Sequence, residues 1–463
     1  MNAAQLNFLK GRPRQVILFA GILIICAGKA HAQELLTKPV WMPELALGLT
    51  ESYDNNIYGV SGVGLQPQGS WITTISPKIG FDFAPLLGSD APIQTLSLSY
   101  TPDFVFFHQA PSQDYDAHKF AAAIKGGVDD FSFSLDDAFL YNDGNKEAPI
   151  YALNQLSGPL GNQDDKYRDH YGYVPSRERV DQIQDRETTV LQYDWSKAFI
   201  RATDSLLDYN LDSAFHNSSK APYLEYQNFV DRSDVNGGMD FGYKVATNVA
   251  VTVGYRYGSQ FQQQFTPAIT SDYTNYSSST YQRVLFGVEG RPWNWLQVKM
   301  VGGPDFRDYN PDTPIDNLHP TKYYAEAALA ATITTNQSLT FKYKQWEWVA
   351  STGFIPVFES LYDLDYHWSA TRKLGFDLDT KIQEYDATGG NDIATGTDPS
   401  LRADRLYTIS PSITYAFTPQ LNATLTYALN AGNNELYTLP TAVQPGYRNY
   451  TEQVISLGLL YKF

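Results

Sequence analysis

From residue 44 to the end, apolar and polar positions alternate with a period of two, the pattern of strands that have one apolar and one wet face. Residues 71–83 place Trp71, Thr73, Ile75, Pro77, Ile79, Phe81 and Phe83 on one side, against Ile72, Thr74, Ser76, Lys78, Gly80 and Asp82 on the other. The same alternation runs through 95–106, 249–258 and the final stretch ending Leu457, Leu459, Tyr461, Phe463. It predicts eighteen strands near 44–53, 70–83, 93–107, 115–128, 131–141, 187–196, 199–211, 227–245, 248–260, 279–290, 294–308, 321–334, 337–349, 357–369, 372–386, 403–417, 420–430 and 449–463, with sixteen as the alternative count. Most are longer than the ~5–6 residues usual in soluble sheets and long enough to cross a bilayer at a tilt.

The connections alternate as well. Short links fall at 128–130, 196–197, 246–248, 290–292, 334–336 and 418–420, and between them lie long polar stretches at 54–69, 142–186, 212–226, 261–278, 309–320, 387–402 and 431–448. Short turns on one side and long loops on the other are the order of an outer-membrane barrel, with an even strand count returning both termini to the periplasmic side. Sandwiches, propellers and β-helices also alternate, but no blade repeat of 40–50 residues is visible. Aromatics gather at strand ends (Phe81, Phe83, Trp293, Trp295, Trp368, Phe417, Phe463), as interfacial girdles require. The expected fold is therefore all-β, a transmembrane antiparallel up-and-down β-barrel over 44–463. No outward face reads as polar enough to mark a subunit interface, so a homo-oligomer is allowed but not indicated.

The first residues set the compartment. Lys10, Arg12 and Arg14 precede an apolar run from Val16 to Ala27, and Ala30-His31-Ala32 supplies small residues for cleavage before Gln33. Residues 1–32 are expected to be a removed signal peptide and 33–43 a short periplasmic segment. Cys26 follows Leu23-Ile24-Ile25, and Ile25 is too large for a lipidation site. Cleavage removes this single Cys, which excludes disulfides and thiol catalysis. It also removes four basic residues and no acid, leaving thirty basic against fifty acidic side chains, a net charge of −20. That balance excludes nucleic acid as a partner. With 33 Tyr, 25 Phe and 8 Trp and a mean hydropathy of −0.34, the chain past its signal has no run apolar enough for a membrane helix.

The segment Ile75-Ser76-Pro77-Lys78-Ile79-Gly80-Phe81-Asp82-Phe83-Ala84-Pro85 is echoed by Ile409-Ser410-Pro411-Ser412-Ile413-Thr414-Tyr415-Ala416-Phe417-Thr418-Pro419. A strand proline donates no ladder hydrogen bond, so each is expected where pairing is interrupted. Ser52-Tyr53-Asp54-Asn55-Asn56-Ile57 followed by Trp71-Ile72-Thr73-Thr74-Ile75-Ser76-Pro77 resembles the opening of the beta-barrel porin family, type two, over 47–85 and more loosely 403–463. The resemblance implies a porin-like channel without naming its cargo. The ending on Leu457, Leu459, Tyr461 and Phe463 is similar to the C-terminal sorting signal read by the barrel assembly machinery.

The candidate chemistry lies in the pore. Asp363, Asp365 and His367 share a face, as do Lys373, Asp377, Asp379 and Lys381 on the next strand, and Lys342, Lys344 and Arg256 also point inward by parity. Such a lining creates a transverse field acting on polar solutes, although any wet barrel interior carries charge. Trp346 and Trp348 share the Lys342 face; they are either stacking platforms for a sugar or lie beyond the membrane. The histidines His108, His118, His170, His216, His319 and His367 form no triad register and no metal-ligand spacing, so no catalytic, cofactor or metal site is expected. Asp54-Asn55-Asn56, Asn162-Gln163-Asp164-Asp165 and Asn310-Pro311-Asp312 read as turn chemistry before calcium sites. The function expected is an outer-membrane porin-like channel for passive diffusion of small polar solutes, with segment 142–186 narrowing the pore. The alternative is a narrow or closed barrel with a structural or adhesive surface role. Membrane lipid, the assembly machinery and small polar solutes are the expected partners.

Overall fold

The computed structural model describes residues 39–57, 67–88, 90–144, 181–212, 231–262, 278–311, 313, 315, 317–349, 356–386, 402–436 and 450–463. Residues 1–32, the expected signal peptide, and the first residues of the expected periplasmic segment lie outside them. Eighteen strands follow one another along the chain: β1 (Glu44–Asp54), β2 (Ser70–Asp82), β3 (Ile93–Phe107), β4 (Tyr115–Val128), β5 (Phe131–Asp143), β6 (Asp181–Asp194), β7 (Ala198–Asp212), β8 (Arg232–Ala246), β9 (Val249–Gln262), β10 (Ser279–Trp293), β11 (Leu296–Tyr309), β12 (Thr321–Thr334), β13 (Gln337–Trp348), β14 (Val357–Ser369), β15 (Leu374–Asp386), β16 (Arg402–Ala416), β17 (Leu421–Leu436) and β18 (Tyr450–Lys462). One helical turn, α1 (Ala84–Leu87), caps the link from β2 to β3. Each strand pairs antiparallel with its sequence neighbours, and β1 closes on β18 from Ala46↔Lys462 to Asp54↔Val454. Closure pairs the backbone of both terminal strands and leaves no sheet edge, the condition for crossing hydrocarbon with strands.

The prolines fall where expected. Ladder pairing between β2 and β3 stops after Ile75↔Phe104 and resumes at Ile79↔Tyr100, which places Pro77 opposite Pro102 in the gap. Pro411 lies in a similar gap between Ile409↔Leu429 and Ser412↔Thr426. One expected turn is displaced: β10 continues through 290–292 to Trp293, and the turn is Asn294–Trp295. Gly290, at φ +135°, bulges there and lets Arg291 N–H reach Asn248 O at 2.6 Å. A Cβ at Gly290 would overlap that same carbonyl.

One parity of each strand carries large exposed apolar side chains, among them Leu98, Phe241, Val253, Phe286, Ile413 and Leu457. At the short-turn end this outer wall finishes in ring pairs: Phe81 with Phe83 (5.8 Å), Tyr193 with Trp195 (5.2 Å), Trp293 with Trp295 (5.9 Å), Trp368 with Phe376 (5.3 Å), and Tyr461 with Phe463 (4.9 Å). Tyr53 and Trp71 pair near the opposite rim (5.2 Å). A closed barrel with an apolar belt between aromatic rims is built to sit in lipid. The protein is an outer-membrane β-barrel, and no described helix is long and apolar enough to cross a membrane.

One sector breaks the apolar belt, where the sequence reading finds no outward face polar enough to mark a subunit interface. Asp137 on β5 pairs across to Glu187 on β6, Asp185 faces Asp208 on β7, and Asp204 faces Thr189 and Gly237. These carboxylates share parity with the exposed Phe131, Tyr141, Ile183, Leu191 and Tyr193, so they point toward lipid. The same acids hid the first turns of β6 from the sequence. An outward face of Asp181, Asp185 and Glu187 does not alternate apolar with polar, so Asp181–Arg186 reads as loop.

Candidate functional site

Strand β13 sets the geometry of the interior. It pairs with β14 along its whole length to Trp348↔Val357, but its pairing with β12 ends at Ala325↔Gln345. Beyond Gln345 the β13–β14 ribbon leaves the wall and leans inward. By parity Glu347 belongs to the outer face, yet it is buried, and its carboxylate accepts a hydrogen bond from Tyr309 of β11. Trp348 on the other face lies against Arg232 of β8, five strands away, with the guanidinium 5.4 Å from the ring centroid. That contact is reached only through the lumen. It fixes the face of Trp348, Trp346, Lys344 and Lys342 as the interior one.

The far wall receives this tip through buried polar groups. Arg307 Nη2 donates to Glu347 O (2.8 Å), and Gln260 Nε2 donates to the same carbonyl (3.1 Å). Arg232 Nη1 donates to Val349 O (3.3 Å). Carbonyls freed from the β12 ladder thus regain donors, as buried backbone requires. Each arginine is in turn held. Arg307 binds Asp305 through Nε and Nη2 (3.0 Å each) and Gln260 Oε1 through Nη1 (2.6 Å), while Arg283 Nε reaches Asp305 at 2.8 Å. Tyr281 lies beneath both guanidiniums, 4.0 and 4.6 Å from them, and donates to Asp234 (3.0 Å). Gly258 makes this possible, since a Cβ there would overlap the Tyr281 ring. Around the tip the inner side chains are buried. Toward the short turns they open, with His367, Asp377, Lys125 and Asp136 about half exposed.

The second feature is the charged band on β13–β15. The register sets Lys342 opposite Asp363, Asp363 opposite Lys381, Asp365 opposite Asp379, and His367 opposite Asp377. His367 Nδ1 and Asp377 Oδ1 are 2.6 Å apart. Lys344 caps Trp346, 4.3 Å from its centroid, and Trp346 stacks on Trp348 at 4.8 Å. Both indoles are buried, so neither offers a free face to a sugar. Arg256 on β9 points inward but far from the band, bound to Asp240 Oδ1 (2.7 Å) with Arg201 beside it. Lys373 departs from the expected face: it sits in the turn before β15, its Nζ 3.5 Å from Phe417 O.

No family model matches the chain, and no curated protein matches it. Among solved structures it is similar to the outer membrane protein OpdK from Pseudomonas aeruginosa, at 9% identity and a TM-score of 0.39 over 91% of this chain and 99% of that one. It is similar to OccK2 (OpdF) from the same organism, in complex with glucuronate, at 9% identity and 0.41 over 91% and 98%. The siderophore receptor PirA from Acinetobacter baumannii matches at 8% identity and 0.41 over 92% and 81%. At such scores the likeness carries no argument, and the barrel's own geometry must supply one.

The residues that hold the tip were not singled out by the sequence: Arg232, Gln260, Tyr281, Arg283, Asp305, Arg307 and Glu347. Their signal is weak: inward charges two residues apart in β8 (Arg232, Asp234) and β11 (Asp305, Arg307), and a single one, Arg283, in the first half of β10. Residues 145–180, most of the segment expected to narrow the pore, lie outside the described residues, as does Asn162-Gln163-Asp164-Asp165. Asp54-Asn55-Asn56 is the expected turn, Asn56 N–H donating to Asp54 Oδ1 at 2.7 Å. On the outer wall Thr73 Oγ1 donates to Glu51 (2.6 Å) and lies 2.8 Å from His108 Nε2. Thr73 is 3% exposed, and the group reads as a tie between strands rather than a nucleophile.

At the outer rim, burial pushes the Asp114 carboxyl up to about 6, although the Phe107 N–H donates to it at 2.6 Å. A raised folded-state value means stability that is present below the ordinary carboxylate range and is lost as pH rises through 6. Protection of the Phe107 amide against hydrogen exchange, corrected for intrinsic rate, should fall between pH 4 and pH 7. In Asp114→Asn it should stay flat.

Proposed function

We propose that the protein is a passive outer-membrane channel for small polar solutes, without cofactor or chemical step, and that the β13–β14 tip is its constriction. The observation that supports this reading is the inward lean of Trp346–Val349 onto Arg232 and Arg307, above a lower lumen whose charged side chains stay half exposed. A barrel of about 18 strands is wide enough for an aqueous path, and an inward segment sets its size limit. Beside that limit the charges are mixed: buried guanidiniums on β8, β10 and β11 hold the tip, and the half-exposed carboxylates Asp365 and Asp377 of β14 and β15 face the lumen below it. Opposed charges of this kind orient polar solutes in transit. The acidic band and the mature charge favour cations mildly. Reversal potentials across a salt gradient should show weak cation preference, and clear anion selectivity would remove that part of the reading.

The buried side chains around the tip also fit a second reading, a barrel shut at its outer end with a structural or adhesive surface role. Planar bilayers separate the two. The channel gives discrete conductance steps, whereas a shut barrel gives none. We also propose that the outward Leu457, Leu459, Tyr461 and Phe463 serve as the assembly signal. Deleting Phe463 should lower the folded, heat-modifiable fraction in the outer membrane several-fold.

A further inference from the structure

We propose that the lumen wall of β3–β6 carries a subsite for small zwitterions, the chemistry of a short neutral α-amino acid. A recess of about 230 Å³ opens there, and two ladder rows build it. One runs Ser99↔Ala121, Ala121↔Ala138 and Ala138↔Arg186; the next, toward the short turns, runs Ser97↔Ala123, Ala123↔Asp136 and Asp136↔Thr188. All share inward parity with Lys119 and Leu140. Methyl groups at the centre of both rows leave the floor low, while the rows on either side carry longer side chains. Toward the outer end, Lys119 and Leu140 are buried and close the recess, Lys119 Nζ standing 2.5 Å from Asp103 Oδ2. Toward the short turns, Lys125 reaches back to Asp136 Oδ1 at 2.9 Å, with both side chains about half exposed. The recess is therefore shut above and open to the lumen below.

Its charges are of opposite sign and fixed in register. Asp136 and Arg186 are diagonal neighbours on β5 and β6, a relation that sets residues ~7–8 Å apart and within reach of long side chains. A lone anion or a lone cation seated between them gains from one and is repelled by the other. A solute carrying both signs gains from both. A guanidinium has five N–H donors in a planar fork, so Arg186 can take a carboxylate beside its other contacts. Asp136 can take an ammonium in exchange for Lys125, since an exposed ion pair of that kind contributes little. A short aliphatic side chain then faces Ala121, Ala123 and Ala138, and the hydroxyls of Ser97, Ser99 and Thr188 border it. Weak binding of this kind suits transit, which needs a solute to leave as readily as it enters.

The subsite deepens the channel reading and rests on it for its use, but binding is measured apart from passage. Full-length mature protein in non-ionic detergent would be titrated with L-alanine by saturation-transfer NMR. Propionate and ethylamine, each with one of the two charges, serve as comparators. Saturable L-alanine binding is expected, five-fold or more tighter than either comparator. Ala138→Leu fills the floor and removes no charge, and it should weaken L-alanine ten-fold or more. Arg186→Gln should bind L-alanine no better than ethylamine. Absence of saturable binding up to about 100 mM, far weaker than the usual range of specific affinities, would overturn the proposal. Equal affinity for the three solutes, or unchanged affinity in Ala138→Leu, would overturn it as well. Should Ala138→Leu fail to fold, Arg186→Gln decides alone: an unchanged preference for L-alanine rejects the site. L-Alanine bound but not admitted to proteoliposomes would keep the subsite and reject the channel; L-alanine admitted but not bound would do the reverse.

Discussion

Arg307→Ala should enlarge the channel and destabilise the barrel together. The guanidinium is fully buried and donates to Asp305, Gln260, Ser279 and the Glu347 carbonyl. Removing it leaves Asp305 with Arg283 as its remaining cationic partner and strips one of the two donors from Glu347 O. Breaking a buried pair by truncating one partner costs about 3–5 kcal/mol, far more than the intact pair contributes. The tip can recover part of that by leaving the wall, since its carbonyls then find water. Single-channel conductance should therefore rise, and the urea midpoint should fall with little change in slope. Arg307→Lys keeps one donor and the charge but loses the fork, so an intermediate effect is expected. A stability loss at unchanged conductance would show that the tip is not the narrowest point. Arg232→Ala tests the other anchor. It frees Val349 O and uncovers Tyr209 and Trp348, so opening without Arg307 being touched would locate the constriction at the tip itself.

The architecture was legible because its signal is local and repeated. Alternation, strand length and the short–long order of connections each act within about twenty residues, and the eighteen segments correspond one to one with β1–β18. Pro77 and Pro411 mark their own ladder gaps, since a missing N–H needs no tertiary context. What failed to show depends on contacts distant in sequence. Glu347 reads as lipid-facing by parity and becomes interior because β13 parts from β12 after Gln345, which no periodicity encodes. Asp363, Asp365 and Asp379 read from the sequence as one inward band on two consecutive strands, and the β14–β15 register adds only which residues stand opposite one another. The start of β6 was lost for the opposite reason: its pattern was read correctly as polar, and polar was equated with loop.

That polar sector carries the second large effect expected. Asp137 and Glu187 face each other on the outer wall, with Asp185, Asp208 and Asp204 on the neighbouring rows and no basic side chain pairing any of them in the described contacts. Phe131 and Phe133 below and Phe139 and Tyr141 above put Asp137 near the middle of the apolar belt. A charged side chain at that depth costs about 2–4 kcal/mol for Lys or Arg and less for Asp or Glu. In lipid vesicles Asp137→Leu with Glu187→Leu should thus raise the unfolding free energy by roughly 1–3 kcal/mol. The two singles should not add, because removing either charge also relieves the repulsion felt by the other. High salt should shrink the gain little, since screening acts weakly on charges away from water. A loss of stability in the double variant would mean that the purified barrel covers this wall, and cross-linking across Asp204→Cys would then capture the covering chain.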